Sequence, residues 1–298
     1  MTQVISSANQ LNFNIDELPE MPLPSGILMV EPSHFTVDYV INPYMADNIG
    51  KVNQEAAAEE WSRIKNMFKK TGLNVEVIEG EEDAPDMVFC ANQSLPAIDE
   101  DGNKQVIMSI MHSGHRKDEV PFIENWFREN GYRIHHLDED KIESFEGCGD
   151  AIWHTGRRLL WGGYGFRTST QAYETISEIF DVPVIALQLV DEDFYHLDTC
   201  FCVLNEKTVL IYPPAFTDEG LKLIETLFEN IITANTREAK ELFACNATCA
   251  DGKNVLIQEG CLETIKQLKR AGFKVHPLET GEFLKSGGSV FCMKQMVW

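Results

Sequence analysis

The chain has 298 residues, 44% of them hydrophobic and 10% aromatic, which is enough for a sizeable core in one or two domains. Forty-seven acidic residues against 25 basic ones give a formal charge of −22, which argues against a phosphate-tracking nucleic-acid surface or an anionic membrane as partner; it serves solubility first and permits a small cationic substrate. No apolar run is long enough to span a bilayer, and the opening Met1-Thr2-Gln3-Val4-Ile5-Ser6 lacks the basic start and apolar block of a signal peptide, so a cytoplasmic location is expected.

Residues 1–26 are rich in Asn, Ser, Pro and acidic side chains with little periodicity, and read as an extended arm ahead of a single domain over 27–298. Ile27-Leu28-Met29-Val30 is the first strand candidate. A long connection follows, Glu31 to Gly50, and then Ala57, Trp61, Ile64 and Phe68 fall at helical spacing over 52–70, with Gly72 as the stop. From there one phrase recurs: strand, turn, strand, amphipathic helix, short return strand. The hairpins are expected over 85–92 with 105–111, 149–154 with 158–161, 196–204 with 208–212, and 243–248 with 254–258. Asp101-Gly102 and Asp251-Gly252 mark two of their turns. Helices are expected over 116–130, 169–180, 218–232 and 260–270, with return strands at 133–137, 182–187 and 273–278.

The phrases open at about Asp86, Gly149, Leu197 and Phe243, and a fifth opens at Ser289, giving steps of 63, 48, 46 and 46 residues. A period of this size indicates repetition around an axis. The fifth hairpin needs a partner strand, and Ile27–Val30 is the candidate that joins the two ends and removes the open sheet edges. The competing architecture, an open doubly wound sheet, requires single parallel strands in place of hairpins.

Corresponding positions in the five phrases are Asn92, Glu146, His196, Asn246 and Cys292, at intervals of 54, 50, 50 and 46 residues, and in such a ring they point at one centre. A free cysteine is most often a small buried hydrophobe, and a single His or Glu has many structural roles. A cysteine, a histidine and a carboxylate converging on one pocket are instead the parts of a thiol nucleophile, its proton shuttle and an orienting group. The eight cysteines contain no CxxC pair, which speaks against a zinc site, and in a cytoplasmic chain they are expected to be reduced.

Five ordered motifs, Ile41-Asn42-Pro43-Tyr44-Met45, Pro85 to Asn92, Phe145-Glu146-Gly147-Cys148-Gly149-Asp150, His196-Leu197-Asp198-Thr199 and Gly287-Gly288-Ser289-Val290-Phe291-Cys292, together resemble the guanidine-modifying (amidinotransferase) superfamily. The resemblance is strongest to the branch holding bacterial arginine dihydrolases and dimethylarginine dimethylaminohydrolase-like proteins. It implies a pentein fold, a five-bladed ββαβ propeller of the α/β class. It implies Cys292 as nucleophile, His196 as general acid/base, and Glu146 and Asp198 as carboxylates holding the guanidinium. It further implies Arg167 as the clamp on the substrate carboxylate, and Asn42, Asn92 and Asp150 as substrate-binding residues. No metal or organic cofactor is implied, and the partner is a small molecule, arginine or a methylated arginine, with a homo-oligomer allowed. Arginine deiminases of the superfamily carry an aspartate where this chain has Asn92. An amide both donates and accepts hydrogen bonds, which suits a guanidinium first and a neutral ureido group next, so arginine dihydrolysis to ornithine, ammonia and carbon dioxide is the expected reaction. Dimethylarginine hydrolysis, deimination to citrulline, amidino transfer to an amine, and a non-catalytic amino-acid-binding propeller are the alternatives.

Overall fold

A computed structural model describes residues 2–298. The segment before residue 26 contributes one strand, β1 (Gln3–Ile5). Next come β2 (Gly26–Val30), buried throughout, helix α1 (Gln54–Lys70) and strand β3 (Asn74–Ile78). Helix α1 begins where the Asn53 side chain accepts from the amides of Glu55 and Ala56, and it ends at Thr71 just before Gly72 at φ +92°. Its buried stripe, Ala57, Trp61, Ile64 and Phe68, packs with Ile27 and Met29 of β2.

Strands β4 (Ser94–Ile98) and β5 (Lys104–Met108) form a hairpin across Asp101-Gly102, and helix α2 (Val120–Glu129) leads to return strand β6 (Arg133–His135) parallel to β5. The short helix α3 (Gly147–Asp150) precedes β7 (Ala151–Trp153), which pairs with β8 (Leu160–Tyr164); helix α4 (Gln171–Phe180) then returns to β9 (Pro183–Gln188). Strand β1 adds to the far side of β9 in parallel, so part of the N-terminal segment is a sheet member. Strands β10 (Phe201–Asn205) and β11 (Thr208–Ile211), helix α5 (Asp218–Leu227) and β12 (Asn230–Thr233) repeat the pattern. After α6 (Thr236–Leu242) come β13 (Asn254–Gln258), α7 (Leu262–Arg270) and β14 (Lys274–Leu278). Helix α8 (Gly281–Leu284) and strand β15 (Gln295–Val297) close the described chain.

The described strands form five sheets, and in each a strand feeding a helix lies parallel to the return strand after it. This is the repeated α/β phrase expected from the sequence, shifted in detail. The first strand of each expected hairpin begins late, because the residues around each candidate site group form tight turns: 3-10 turns at Pro85–Val88 and Leu197–Thr199, and α3 at Gly147–Asp150. The hairpin expected over 243–248 shrinks to one antiparallel bridge, Thr248 to Leu256. The partner of β2 is β15, three residues beyond Cys292, paired antiparallel with Met296 opposite Ile27. Cys292 therefore stands in the turn before the closing strand and not on it. The expected helix over 218–232 stops at Leu227, and Asn230–Thr233 is the third phrase's return strand.

Candidate active site

The turns that displace the strands are linked to one another by hydrogen bonds. Ala91 N–H donates to the Cys292 carbonyl at 3.1 Å, and Cys148 N–H to the Ala91 carbonyl at 2.8 Å. Leu197 N–H donates to Asp150 Oδ1 at 3.0 Å, Asn246 Nδ2 to the Asp198 carbonyl at 3.0 Å, and Phe291 N–H to the Asn246 carbonyl at 3.1 Å. The circuit passes through all five phrases and returns to its start. Of their corresponding residues Asn92, His196 and Cys292 line one cavity of about 300 Å³ including its open mouth, together with Asn42, Arg116 and Arg167, while Glu146 and Asn246 stand behind its wall.

Cys292 is 4% exposed. Its Sγ–H donates to Asp198 Oδ2 at 3.1 Å, and Asn246 Nδ2 reaches the sulfur from the other side at 3.1 Å. Asn246 Oδ1 accepts from Ser289 N–H at 3.0 Å and Cys292 N–H at 3.4 Å, so one amide side chain staples the whole turn. Burial, and then the charge and hydrogen bond of Asp198, push the thiol well above its ordinary range and so favour the protonated sulfur. Asp198 is itself pushed up to about 7 by burial, and its Oδ1 has no partner.

His196 Nε2 lies 2.6 Å from Glu146 Oε2. The same oxygen accepts from Arg167 Nη1 at 3.2 Å, and Glu146 Oε1 accepts from His112 N–H at 2.9 Å. Burial acts to raise the Glu146 carboxyl, but the hydrogen bond and charge of His196 with the charges of Arg167 and Arg116 outweigh it and hold it below the usual carboxylate range. Glu146 is thus an ionised group whose oxygens are already occupied; it orients His196 and keeps the imidazole supplied with an acceptor. Asp150 lies behind the cavity wall: Oδ1 takes Leu197 N–H and Oδ2 takes the Thr168 hydroxyl at 2.7 Å, while burial raises its carboxyl to about 6. It holds the His196 turn in place and offers no free oxygen to the cavity.

Arg167 also donates from Nη2 to the Ile41 carbonyl at 2.6 Å and lies over the Tyr195 ring at 4.8 Å. Asn42 secures the loop over 41–45: its Nδ2 donates to the Ser286 carbonyl at 2.9 Å, and its Oδ1 accepts from Tyr44 N–H at 3.0 Å. Asn92 Oδ1 accepts from Arg116 Nη1 at 2.8 Å, and an arginine only donates, so the amide orientation is unambiguous. Asn92 Nδ2 is left buried without a partner.

Arg116, Asp86 and Tyr195 are wall residues that sequence reasoning did not single out. Arg116 is 4% exposed and pairs with Glu119 at 2.8 Å; Asp86 accepts from Tyr39 at 2.7 Å and Ser286 at 2.9 Å; Tyr195 Oη donates to the Gly287 carbonyl at 2.5 Å. An arginine and a glutamate three apart at a helix start look like a solvated pair in sequence. Asn246 stood out in its spacing, and its role is visible only in the stapled turn.

An α/β chain in which a cysteine and a histidine line one cavity, each bonded to a buried carboxylate behind it, is of the guanidine-modifying, amidinotransferase class. More narrowly, the chain belongs to the family described as N,N dimethylarginine dimethylhydrolase, eukaryotic, whose model matches residues 31–297. It is 39% identical over 270 residues to the bifunctional arginine dihydrolase/ornithine cyclodeaminase ArgZ of Synechocystis sp., a match spanning 90% of this chain and 37% of ArgZ. It is 34% identical over 267 residues to N(G),N(G)-dimethylarginine dimethylaminohydrolase of Mycobacterium tuberculosis, spanning 89% of this chain and 83% of that protein. Crystal structures of the ArgZ N-terminal domain, one bound to substrate and one covalently bound to a reaction intermediate, superpose with a TM-score of 0.85 at 38% identity, covering 91% of this chain and 97% of theirs. Among the described residues no helix is long and apolar enough to cross a membrane.

Proposed function

We propose that this protein is an arginine dihydrolase, working through a covalent bond from Cys292 to the guanidinium carbon, and that its five sheets are the blades of a pentein propeller. Supporting the propeller is the closed circuit of hydrogen bonds through the five turns. Supporting the chemistry is the convergence of Cys292 and His196 on one cavity, with Asp198 bonded to the thiol from behind, in a strongly acidic protein.

Arginine enters with its guanidinium toward Cys292, behind which the buried Asp198 keeps its Oδ1 unpaired. Arg167, stacked on Tyr195 and bonded through Nη1 to Glu146 and through Nη2 to the Ile41 carbonyl, lines the cavity as a fixed cation that suits the α-carboxylate. The arriving cation neutralises Asp198 and lowers the cost of the thiolate. Sulfur attacks the central carbon, a C–S bond forms, and ammonia leaves with a proton from His196. Water, deprotonated by His196, then adds to the same carbon and the C–S bond breaks, giving citrulline.

The second cycle depends on Asn92. Its Oδ1 already accepts from Arg116, and the group left unpaired for a substrate is the N–H of Nδ2. A guanidinium has only donors and gains nothing from it. A ureido oxygen accepts this bond, which holds citrulline for a second attack and stabilises the charge that develops on that oxygen. Ammonia leaves again, water cleaves the resulting thiocarbamate, and the carbamate falls apart to ornithine and carbon dioxide.

The alternative reading, release of dimethylamine from dimethylarginine, draws on the family match and the mycobacterial relative. Incubation with arginine and with dimethylarginine, followed by product identification, separates the two. Ornithine with two ammonia per arginine is expected, and none with Cys292→Ala. Citrulline accumulating without ornithine would refute dihydrolysis, and dimethylamine as the favoured product would replace it.

A further inference from the structure

A second cavity, separate from the one that holds Cys292, encloses about 660 Å³ including its open mouth. Met21, Trp153, Phe291, Met296 and Trp298 supply an apolar wall, and Trp298 Nε1 ties its rim to the N-terminal segment by donating to the Pro22 carbonyl at 2.7 Å. Two polar side chains in this wall are unusual. Lys294 is 1% exposed, and its nearest described contact is the Phe291 ring, with Nζ 3.2 Å from the centroid. Among the described residues it forms no ion pair within 4 Å, although the charge of Asp198, bonded on its other side to Cys292, reaches it from a distance. Thr248 is also 1% exposed, and its hydroxyl has no hydrogen-bond partner.

Burying an ammonium without a counter-ion and a hydroxyl without an acceptor is costly, and both groups are donors. The three thiols of the wall, Cys148, Cys202 and Cys249, do not repair this: burial raises Cys148 to about 11 and moves the other two in the same direction, so they are neutral. Histidine 154 is committed elsewhere, its Nε2 2.9 Å from the Glu206 carbonyl and its Nδ1 accepting from Trp161 at 3.2 Å. What the cavity lacks is one acceptor with one negative charge.

We infer that this second cavity is a binding site for a small monocarboxylate with an apolar tail, its carboxylate accepting from Lys294 and Thr248 and its tail lying on the Met21, Trp153 and Met296 wall. A single cation matches a monoanion. A multiply charged phosphate would meet too few donors, and an apolar molecule alone would leave Lys294 and Thr248 unpaired. The burial of Lys294, which pushes its amine below the ordinary lysine value, is offset when a carboxylate arrives. Lys294 lies two residues from Cys292, so an occupant of this cavity touches the turn that carries the thiol.

The test uses the full-length protein labelled with carbon-13 at the methionine methyls and titrated with sodium hexanoate or hexan-1-ol. Met21 and Met296 methyl signals should shift saturably with hexanoate, while Met45, buried outside this cavity, stays in place. Hexan-1-ol should bind at least about tenfold more weakly, the loss of one charge-assisted contact. In Cys292→Ser protein, saturating arginine should leave the hexanoate shifts unchanged. Lys294→Met should weaken hexanoate by about tenfold or more and leave hexan-1-ol unaffected. No saturable shift, equal affinity for the alcohol, or displacement by arginine would each overturn the inference, and these readings are made on proteins that retain Lys294.

Discussion

Cys292 and Asp198 form a pair whose state depends on what lies beside them. Alone, the buried carboxylate accepts the thiol's hydrogen bond and keeps the proton on sulfur; in the proposed reaction a guanidinium beside it offsets its charge and makes the thiolate less costly. Asp198→Asn should therefore alkylate faster with iodoacetamide in the free protein at about pH 8, by about tenfold for each unit the thiol falls, while arginine turnover drops on the order of a hundredfold. An unchanged alkylation rate would remove Asp198 as the brake. The same substitution bears on stability. Asp198 is raised to about 7 by burial, above its unfolded value, so its contribution is fully present at low pH and is lost as pH rises through about 7. Asp198→Asn cannot ionise, so it should melt above the parent at about pH 8 and lose that advantage near about pH 4. Glu146, held low, behaves oppositely: its contribution is present above the ordinary carboxylate range and lost in strong acid. At Asn92 the prediction concerns products. Asn92→Asp keeps an acceptor for Arg116 but removes the N–H that would hold a ureido oxygen. Citrulline should accumulate and ornithine output fall on the order of a hundredfold by chromatographic product analysis, a loss matching one oxyanion donor. Undiminished ornithine would mean that Asn92 has no part in the second cycle.

The elements matter here less as strands and helices than as turns between them. Gly287 has φ +83°, and a Cβ there would lie 2.6 Å from Tyr195 Oη and 3.0 Å from Asn42 Oδ1. Gly287→Ala should cost at least about 2 kcal/mol, combining left-handed strain with displacement of Tyr195, and should lower the melting temperature and slow turnover together. A wild-type melting temperature would show that the turn relaxes freely. These turns also explain what was legible in the sequence. Hydrophobic period and Asp-Gly turns mark α1, α2, α4, α7, the Asp101-Gly102 turn with β5 after it, and the five-phrase repeat, since each signal is local, whereas β4 lies wholly beyond the strand expected over 85–92. The strand starts were set too early because Phe-Cys-Ala-Asn and Val-Phe-Cys-Met are as apolar as a buried strand, while the long-range bonds to neighbouring turns that bend them, such as Ala91 N–H to the Cys292 carbonyl, leave no local mark. Strand β12 was hidden because Leu227-Phe228 and Ile231-Ile232 continue the apolar pattern of α5. At the site, Cys292, His196 and Asn92 were legible through their spacing; the inward-facing Arg116 and the occupied oxygens of Asp150 were not, because hydrogen-bond partners far apart in the chain decide both.

At the scale of the molecule, catalysis depends on a circuit whose last link is short. Residues 86–92, 146–150, 196–200 and 246 belong to phrases continuous along the chain, but Cys292 is held from both sides: by Asn246 behind it and by Ala91, near the start of the circuit, in front. Strand β15 is what keeps that front contact in register, through three residue pairs with β2 and the Ser25 N–H bond to the Val297 carbonyl at 3.0 Å. Without it β2 becomes an exposed apolar edge, and the Cys292 turn is tethered on one side only. Removing residues 295–298 should therefore abolish arginine turnover and lower the melting temperature by several degrees, consistent with losing a few kcal/mol of buried pairing. The order of the losses tests the idea. In mild urea the truncated protein should lose iodoacetamide protection of Cys292 before its far-ultraviolet circular dichroism changes, because the tethered turn opens ahead of the sheets. Simultaneous loss of both signals would mean that β15 supports the whole fold uniformly and has no special hold on the thiol.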